Sequence, residues 1–513
     1  MYDYVIVGAG SAGCVLAARL SEDPDVTVCL IEAGPTDDNE NIRVPILGAR
    51  LFRTHMDWDY AANGEPHCDY RRIYLPRGRM VGGSSSMNGM IYTRGTRADF
   101  DGWRQPGWSF DEMLPYFKKS EDNERGPSEY HGVGGPLSVS DIRYDSPTAT
   151  AFVDAAVEAG FKVNEDFNGP AEDGFGFFQF THRDGQRCSA ATAFLHPALA
   201  RPNLTVETEF HVSRVSFANG RASGIVGYQS GELTEIRAER EVILSAGSYN
   251  SPQLLMLSGV GPAEMLRAQG VPVILDQPEV GQNLQDHPHA WLVFEHSDPV
   301  SLIVAGEPEQ VRRYEQEHAG PRTINGPVSG GYVRMTDAAP GPDLQFVCVP
   351  VMVTDAGLTP PSGHAISYGA CVLHPRSRGQ VTLHSSEPTA KPRIVFNYYA
   401  EPSDLEMALN GLRLGLEIAR QNSLRPYTAS PVAAPASESV SDLRAHLRRY
   451  TQTLHHPSGT CAMGSVVDEH LRVRGVEGLR VVDASVMPTV VRANTNAAVI
   501  AIAEKAADLI RGQ

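Results

Sequence analysis

The chain has no apolar run long enough to cross a bilayer, no Cys-x-x-Cys pair, no internal repeat and no excess of positive charge. Each absence excludes something. Without a run of about 20 apolar residues, no membrane span is expected. A net charge of −17 argues against nucleic acid or an anionic membrane as partner. The cysteines (Cys14, Cys29, Cys68, Cys188, Cys348, Cys371 and Cys461) are scattered. Reduced structural thiols are therefore expected, and no metal site. The first apolar run starts almost at Met1 and leaves no signal peptide ahead of it, so the expected location is cytoplasmic. What remains is an ordinary globular composition, 42% hydrophobic and 20% charged over 513 residues, enough for two or more domains.

The most informative stretch is Asp3 to Gly34. Tyr4–Val7 is short, apolar and β-branched, and reads as a buried strand. Gly8, Gly10 and Gly13 follow in G-x-G-x-x-G spacing, then Cys14–Leu20 at helical spacing, then a second apolar run, Val26–Ile31, ending in Glu32. Gly8 permits a sharp turn, Gly10 lets the backbone approach a pyrophosphate, and Gly13 lets helix and strand pack closely. The helix N-terminus offers free N–H groups to phosphates. Glu32 stands where a carboxylate accepts hydrogen bonds from an adenosine ribose. Ser11, Ala12 and Ala33 complete the expected cofactor-binding set here. An acid after the second strand argues against a 2′-phosphate, leaving FAD or NAD.

A second dense stretch, Leu75 to Gly95, is rich in Gly and Ser. Flanking Arg77, Arg79, Met80 and Val81 argue for an anion-binding nest of backbone N–H groups rather than a linker. The run Gly78-Arg79-Met80-Val81-Gly82-Gly83-Ser84-Ser85-Ser86-Met87-Asn88, with Tyr92, Gly95 and Asp101, resembles the first signature of the glucose-methanol-choline (GMC) flavoprotein oxidoreductases. Gly247 to Gly261 resembles the second, and the HHPSGTCAMG and RANTNAA stretches resemble the family's active-site region. The resemblance spans essentially the whole chain and implies FAD rather than NAD.

It also implies roles. His456, before Pro457, matches the general base that takes the alcohol proton. Asn494 matches the partner that donates a hydrogen bond to the substrate oxygen. The flavin reduction rate should then rise with pH through one ionisation. His455 is expected to point away along an extended segment, in a supporting or packing role. His287, His289, His374 and His384 are expected to satisfy structural hydrogen bonds. Val81, Gly83, Ser84, Asn88, Gly89 and Met90 would follow the pyrophosphate and ring, with Val212 at the adenine. Ala246 would close the strand before the second signature, Asp483 and Ala484 would meet the phosphate and ring region, and Thr495 the pyrimidine side. Met87 stands where some members carry a His covalently bonded to flavin, so FAD should be non-covalent.

The expected fold is α/β, a Rossmann-type FAD-binding domain interleaved with a sheet-based substrate domain backed by helices. The cofactor domain is expected in three parts, 1–145, 201–288 and 456–513, and the substrate domain at 146–200 and 289–455. Within them, helices are expected at Ser146–Gly160, Cys188–Leu195, Ser403–Arg420 and Ala497–Ile510, and strands at Leu204–Phe217, Ile225–Tyr228, Glu241–Ala246 and Leu479–Asp483. Strands at Leu344–Val353, His364–Leu373 and Gln380–His384 would form a platform over the flavin, and 305–325 reads as a surface helix rather than a lid.

The expected reaction is oxidation of a small-molecule primary alcohol to the aldehyde, with oxygen or another electron acceptor. The chain resembles choline-dehydrogenase-like proteins and aryl-alcohol or hydroxymethylfurfural oxidases about equally. A lyase of the hydroxynitrile type, keeping a non-redox flavin, is the alternative. A flavin-binding structural module is a third reading, opposed by the His456–Asn494 pair.

Overall fold

The computed structural model describes residues 1–512 and is built on two large sheets. At the centre of the first, Tyr2–Val7 pairs in parallel with Val28–Ile31 on one side and with Glu232–Leu244 on the other. Its residues Val5 and Ile6 are fully buried, as a two-sided parallel strand requires. Leu204–Glu207 extends the sheet beyond Val28–Ile31, and Leu479–Val481 joins Glu232–Leu244 in parallel. The helix Ser11–Leu20 leaves the first strand through Gly8, whose φ is +101°. A Cβ on Gly13 would lie 1.9 Å from the Gly8 carbonyl oxygen, so only glycine allows this helix–strand contact.

The last helix, Thr495–Arg511, packs on Ser11–Leu20. Glu504 is fully buried between them and pairs with Arg19 at 2.7 Å and Lys119 at 3.2 Å.

The second sheet is antiparallel. Its strands run in the order Ser430–Ala433, Leu292–Glu295, Ala365–Val372, Leu344–Val349, Ser329–Val333, Gly174–Phe177. Pro288–Ala290 joins Ala365–Val372 and Thr451–Thr453. The helix Pro402–Ala419 backs one face. Gly411 and Gly415 let it approach closely, since a Cβ at either would come within 2.8 Å of Ala370 or Leu292. The other face looks onto the cavity described below.

Several elements fall near their expected positions: helices Pro147–Glu158, Pro402–Ala419 and Thr495–Arg511, and strands Leu344–Val349 and Ala365–Val372. Three expectations are corrected. Leu204–Phe217 is not one strand. It breaks at Glu209, which sits at φ +55°, and its halves lie at opposite edges of the first sheet. The strand expected from Glu241 starts at Glu232, because its first half pairs antiparallel with Arg221–Gln229 outside the buried core. Gln380–Thr382 is not part of the platform. It pairs with Arg393–Val395, and the Gly379 and Val381 N–H groups donate to Leu284 and Gly281 at 2.8 and 2.7 Å, which draws the segment aside. The 305–325 segment holds an exposed helix, Pro308–Glu317, anchored by buried Tyr314. Among the described residues, no helix is long and apolar enough to cross a membrane.

Candidate active site

A single cavity of about 1080 Å³ runs from the carboxyl ends of the first sheet to the open face of the second. That exceeds the roughly 300–1,000 Å³ of ordinary ligand pockets, so it has room for an extended dinucleotide and a substrate.

Its nucleotide end is lined by Gly8, Gly10, Ser11, Ala12, Glu32 and Ala33. A Cβ on Gly10 would meet nothing within 4 Å, so its backbone lies bare to the cavity. Glu32 accepts from the Ala9 N–H at 3.0 Å and the Gly34 N–H at 2.9 Å. Burial pushes its carboxyl up to about 7 against the pull of those two N–H groups. Val212 lines the cavity beside His211.

Further along, the lining includes Gly83, Ser84, Asn88, Gly89 and Met90, then Ala246, Asp483, Ala484 and Thr495. Asp483 accepts from the Gly247 N–H at 2.9 Å and from Ser251 Oγ, so its carboxylate is held by the N-terminus of helix Gly247–Leu257. Burial holds it above the usual carboxylate range. Met87 lines the wall from a small apolar cluster with Ile42, Leu51, Met56 and Met80.

Two expected cofactor residues are not on the cavity. Gly13 acts through packing, as above. Val81 is a correction: its side chain is buried, its N–H donates to Pro35 and its carbonyl accepts from Ser86 Oγ, so it shapes the loop from behind.

At the far end stand His456 and Asn494, with Asn494 Nδ2 3.1 Å from His456 Nε2. Asn494 is the N-cap of the last helix, and its Oδ1 accepts from Thr93 Oγ1 at 3.2 Å and Gln345 Nε2 at 3.0 Å. Its amide nitrogen must then face His456 and donate. His456 Nε2 is therefore the lone-pair nitrogen and Nδ1 carries the proton. That Nδ1 lies 2.8 Å from His287 Nδ1, and the His456 N–H donates to Asp286 at 2.7 Å. Burial, with His287, His455 and Arg77 alongside, holds the His456 imidazole well below its usual range, so it is neutral.

His455 differs from expectation. Its backbone is left-handed, with φ +70°, not extended, so it opens onto the same cavity as His456. His287 and His289 are buried near the second sheet, with burial pushing both down to about 3. His374 and His384 do not line the cavity.

Sequence reasoning missed Gln345, Thr93 and Arg187. Gln345 could have been found as the polar position in the apolar strand Leu344–Val349. Arg187 is buried and reaches the Asn88 Oδ1 at 2.8 Å and the Ser85 carbonyl at 3.2 Å, fixing the Asn88 side chain. Nothing local in the sequence marks that long-range contact.

Two family models described as GMC oxidoreductase match the chain, over residues 2–289 and 375–503. The chain belongs to the GMC oxidoreductase family. An alcohol dehydrogenase [acceptor] of Pseudomonas putida is 41% identical to it, with 99% of this chain and 96% of that protein covered. Human mitochondrial choline dehydrogenase is 42% identical, with 100% and 90% covered. A solved formate oxidase of Aspergillus oryzae, studied for FAD modification, aligns over 100% of this chain and 98% of its own at a TM-score of 0.93 and 29% identity. The fold is thus the GMC fold, the chain is an oxidoreductase of CH–OH donors, and FAD is the cofactor these relatives support. The lyase alternative gains no support from these relatives.

Proposed function

We propose that this protein oxidises a primary alcohol to the aldehyde with non-covalently held FAD, using His456 as general base. The observation that carries the reading is the His456–Asn494 pair, 3.1 Å apart at the end of a cavity that begins at a dinucleotide-binding turn. The cavity fits the cofactor. Bare Gly10 and the helix N-terminus suit a pyrophosphate, Glu32 suits a ribose, and the Gly83–Met90 stretch with Thr495 suits the ring. Residues 1–145, 201–288 and 456–513 would form the cofactor domain, and 146–200 and 289–455 the substrate domain.

Bound there, FAD would supply at N5 the acceptor for the hydride that leaves the alcohol carbon. The chain does the rest. The alcohol oxygen takes the place of the His456–Asn494 hydrogen bond, its hydroxyl donating to His456 Nε2 and its oxygen accepting from Asn494 Nδ2–H. The neutral imidazole takes the hydroxyl proton, and the Asn494 N–H holds the developing alkoxide. As His456 becomes cationic, its Nδ1–H keeps its bond to His287. Choline, named for the human relative, and an alcohol, named for the bacterial one, are both candidate substrates, and the acceptor is oxygen or another oxidant.

Anaerobic mixing with alcohols tests this. The flavin should bleach in the wild type and bleach roughly 10²–10⁴-fold more slowly in FAD-loaded His456→Ala. Equal rates in the two proteins would remove His456 as base.

A further inference from the structure

The walls around His456 carry information about the substrate. Side chains alternate along the strand Leu344–Val349. Leu344 and Phe346 pack on the backing helix near Gly411 and Gly415. Gln345 points the other way and reaches Asn494. Val347 and Val349 share the face of Gln345, and both line the cavity. The surface next to the catalytic pair is therefore aliphatic. Leu302 and Met352 extend it, and Trp291, packed edge-on against His289, adds an aromatic side chain.

Charge is distributed the opposite way from what a cation needs. Among the described residues lining the cavity, the only carboxylates are Glu32 and Asp483. Glu32 follows the second strand of the dinucleotide turn and bonds two N–H groups there. Asp483 is tied to Gly247, Ser251 and Ser485. Near the catalytic pair the charged side chain that lines the cavity is a cation, Arg77, whose guanidinium donates to the His455 carbonyl at 2.7 Å; the one acid close by, Asp286, lies behind the wall, accepts from the His456 N–H and Tyr398, and is pushed towards its neutral form by burial. The other charged side chains that line the cavity, Arg50 and Lys391, are cations too. A quaternary ammonium here would lose its hydration and gain no counter-charge.

We infer that the site is built for an uncharged, apolar primary alcohol and selects against cationic ones such as choline. This deepens, and rests on, the alcohol oxidation proposed above. Val347 and Val349 are the specificity-determining residues. Alkyl groups of the substrate lie along them, and each methylene that enters the aliphatic chamber raises kcat/KM about three- to fourfold until it is filled.

The deciding comparison is choline against 3,3-dimethyl-1-butanol, which has the same shape with carbon in place of the charged nitrogen. Anaerobic flavin reduction by the FAD-loaded enzyme is followed with each, and with linear alcohols from ethanol to octanol. The neutral isostere should be favoured at least about 100-fold in kcat/KM. Val349→Asp should reduce that preference at least about tenfold while keeping its FAD, and Val347→Asp serves if that variant does not fold. Choline equal to or better than its isostere overturns the inference and leaves alcohol oxidation standing. If no alcohol bleaches fully loaded flavin, the oxidation reading falls and the inference falls with it.

Discussion

His287 and His456 face each other through their Nδ1 atoms at 2.8 Å, ring planes nearly perpendicular at 87°. With Nε2 of His456 accepting from Asn494, the shared proton belongs to His456 and His287 is its acceptor. His287 is thus a positioning residue that fixes the tautomer of the base. His287→Leu should bind FAD normally but slow anaerobic flavin reduction by roughly 10–100-fold. His287→Asn, which can present an oxygen acceptor at the same place, should restore most of the rate. Equal losses in both variants would mean the residue only packs.

The pH profile follows from burial of the base. A sequence view places one ionisation near neutrality, because an ordinary histidine titrates there. Held well below that range, His456 is already neutral. Flavin reduction should therefore be flat from about pH 6 to 9 and fall only in acid. Stopped-flow rates that climb through pH 7 would point to a different proton acceptor.

Cofactor attachment turns on Met87. A thioether cannot form the bond a histidine makes at that position. Acid precipitation should leave all of the flavin in the supernatant, and yellow protein in the pellet would contradict this.

The glycine turn has a sharper test. A side chain at Gly10 would project into the open cavity. Gly10→Val should abolish FAD binding, while Glu32→Ala should weaken it by about 1–3 kcal/mol. Equilibrium titration with FAD measures both, and full occupancy in Gly10→Val would remove the pyrophosphate from this turn.

Acid should destabilise the fold through its buried histidines. Burial holds His182 and His446 near about 4, and His287 and His289 near about 3. The folded state cannot protonate these groups at pH 5, whereas the unfolded chain can. Their contribution is complete above about pH 6.5 and is lost as pH falls towards those values, at up to about 1.4 kcal/mol per pH unit for each. His131 works in the opposite direction. Although burial lowers it, Asp166 and Glu121 raise it above its usual value, so its contribution is present in acid and lost as pH rises. His196 beside Asp37 and the carboxylates that burial raises, Glu32 foremost, act with His131. His211, His296, His374, His455 and His456 are held down with the first four, so the depressed imidazoles prevail and Tm should drop between pH 7 and 5. A Tm that holds or rises over that range would show the imidazoles to be accessible.

The nucleotide turn was legible because its meaning is local: strand, three glycines, helix and acid lie within about 30 residues of each other. The same holds for the strands and helices with clean period, such as Leu344–Val349 and Pro402–Ala419. Partner choice was not legible. Glu209 bends the chain with no Gly or Pro to mark it, so Leu204–Phe217 reads as one strand although its ends serve opposite edges of a sheet. In the same way His287 read as structural, because only the fold brings it across 169 residues to His456. His455 departs from the alternation of an extended segment because its backbone is left-handed, which no neighbouring Gly or Asn marks.

The pairing of the first strand's sheet with Leu479–Val481, and of Arg19 with Glu504, has a bearing on how the protein is made. The dinucleotide turn is synthesised long before Leu479–Val481 and Thr495–Arg511, and until they follow, the sheet that supports it lacks a strand and its helix lacks a neighbour. Such long-range closure is slow and leaves apolar surface uncovered meanwhile. Removal of 494–513 should therefore give a chain that neither holds flavin nor stays out of aggregates.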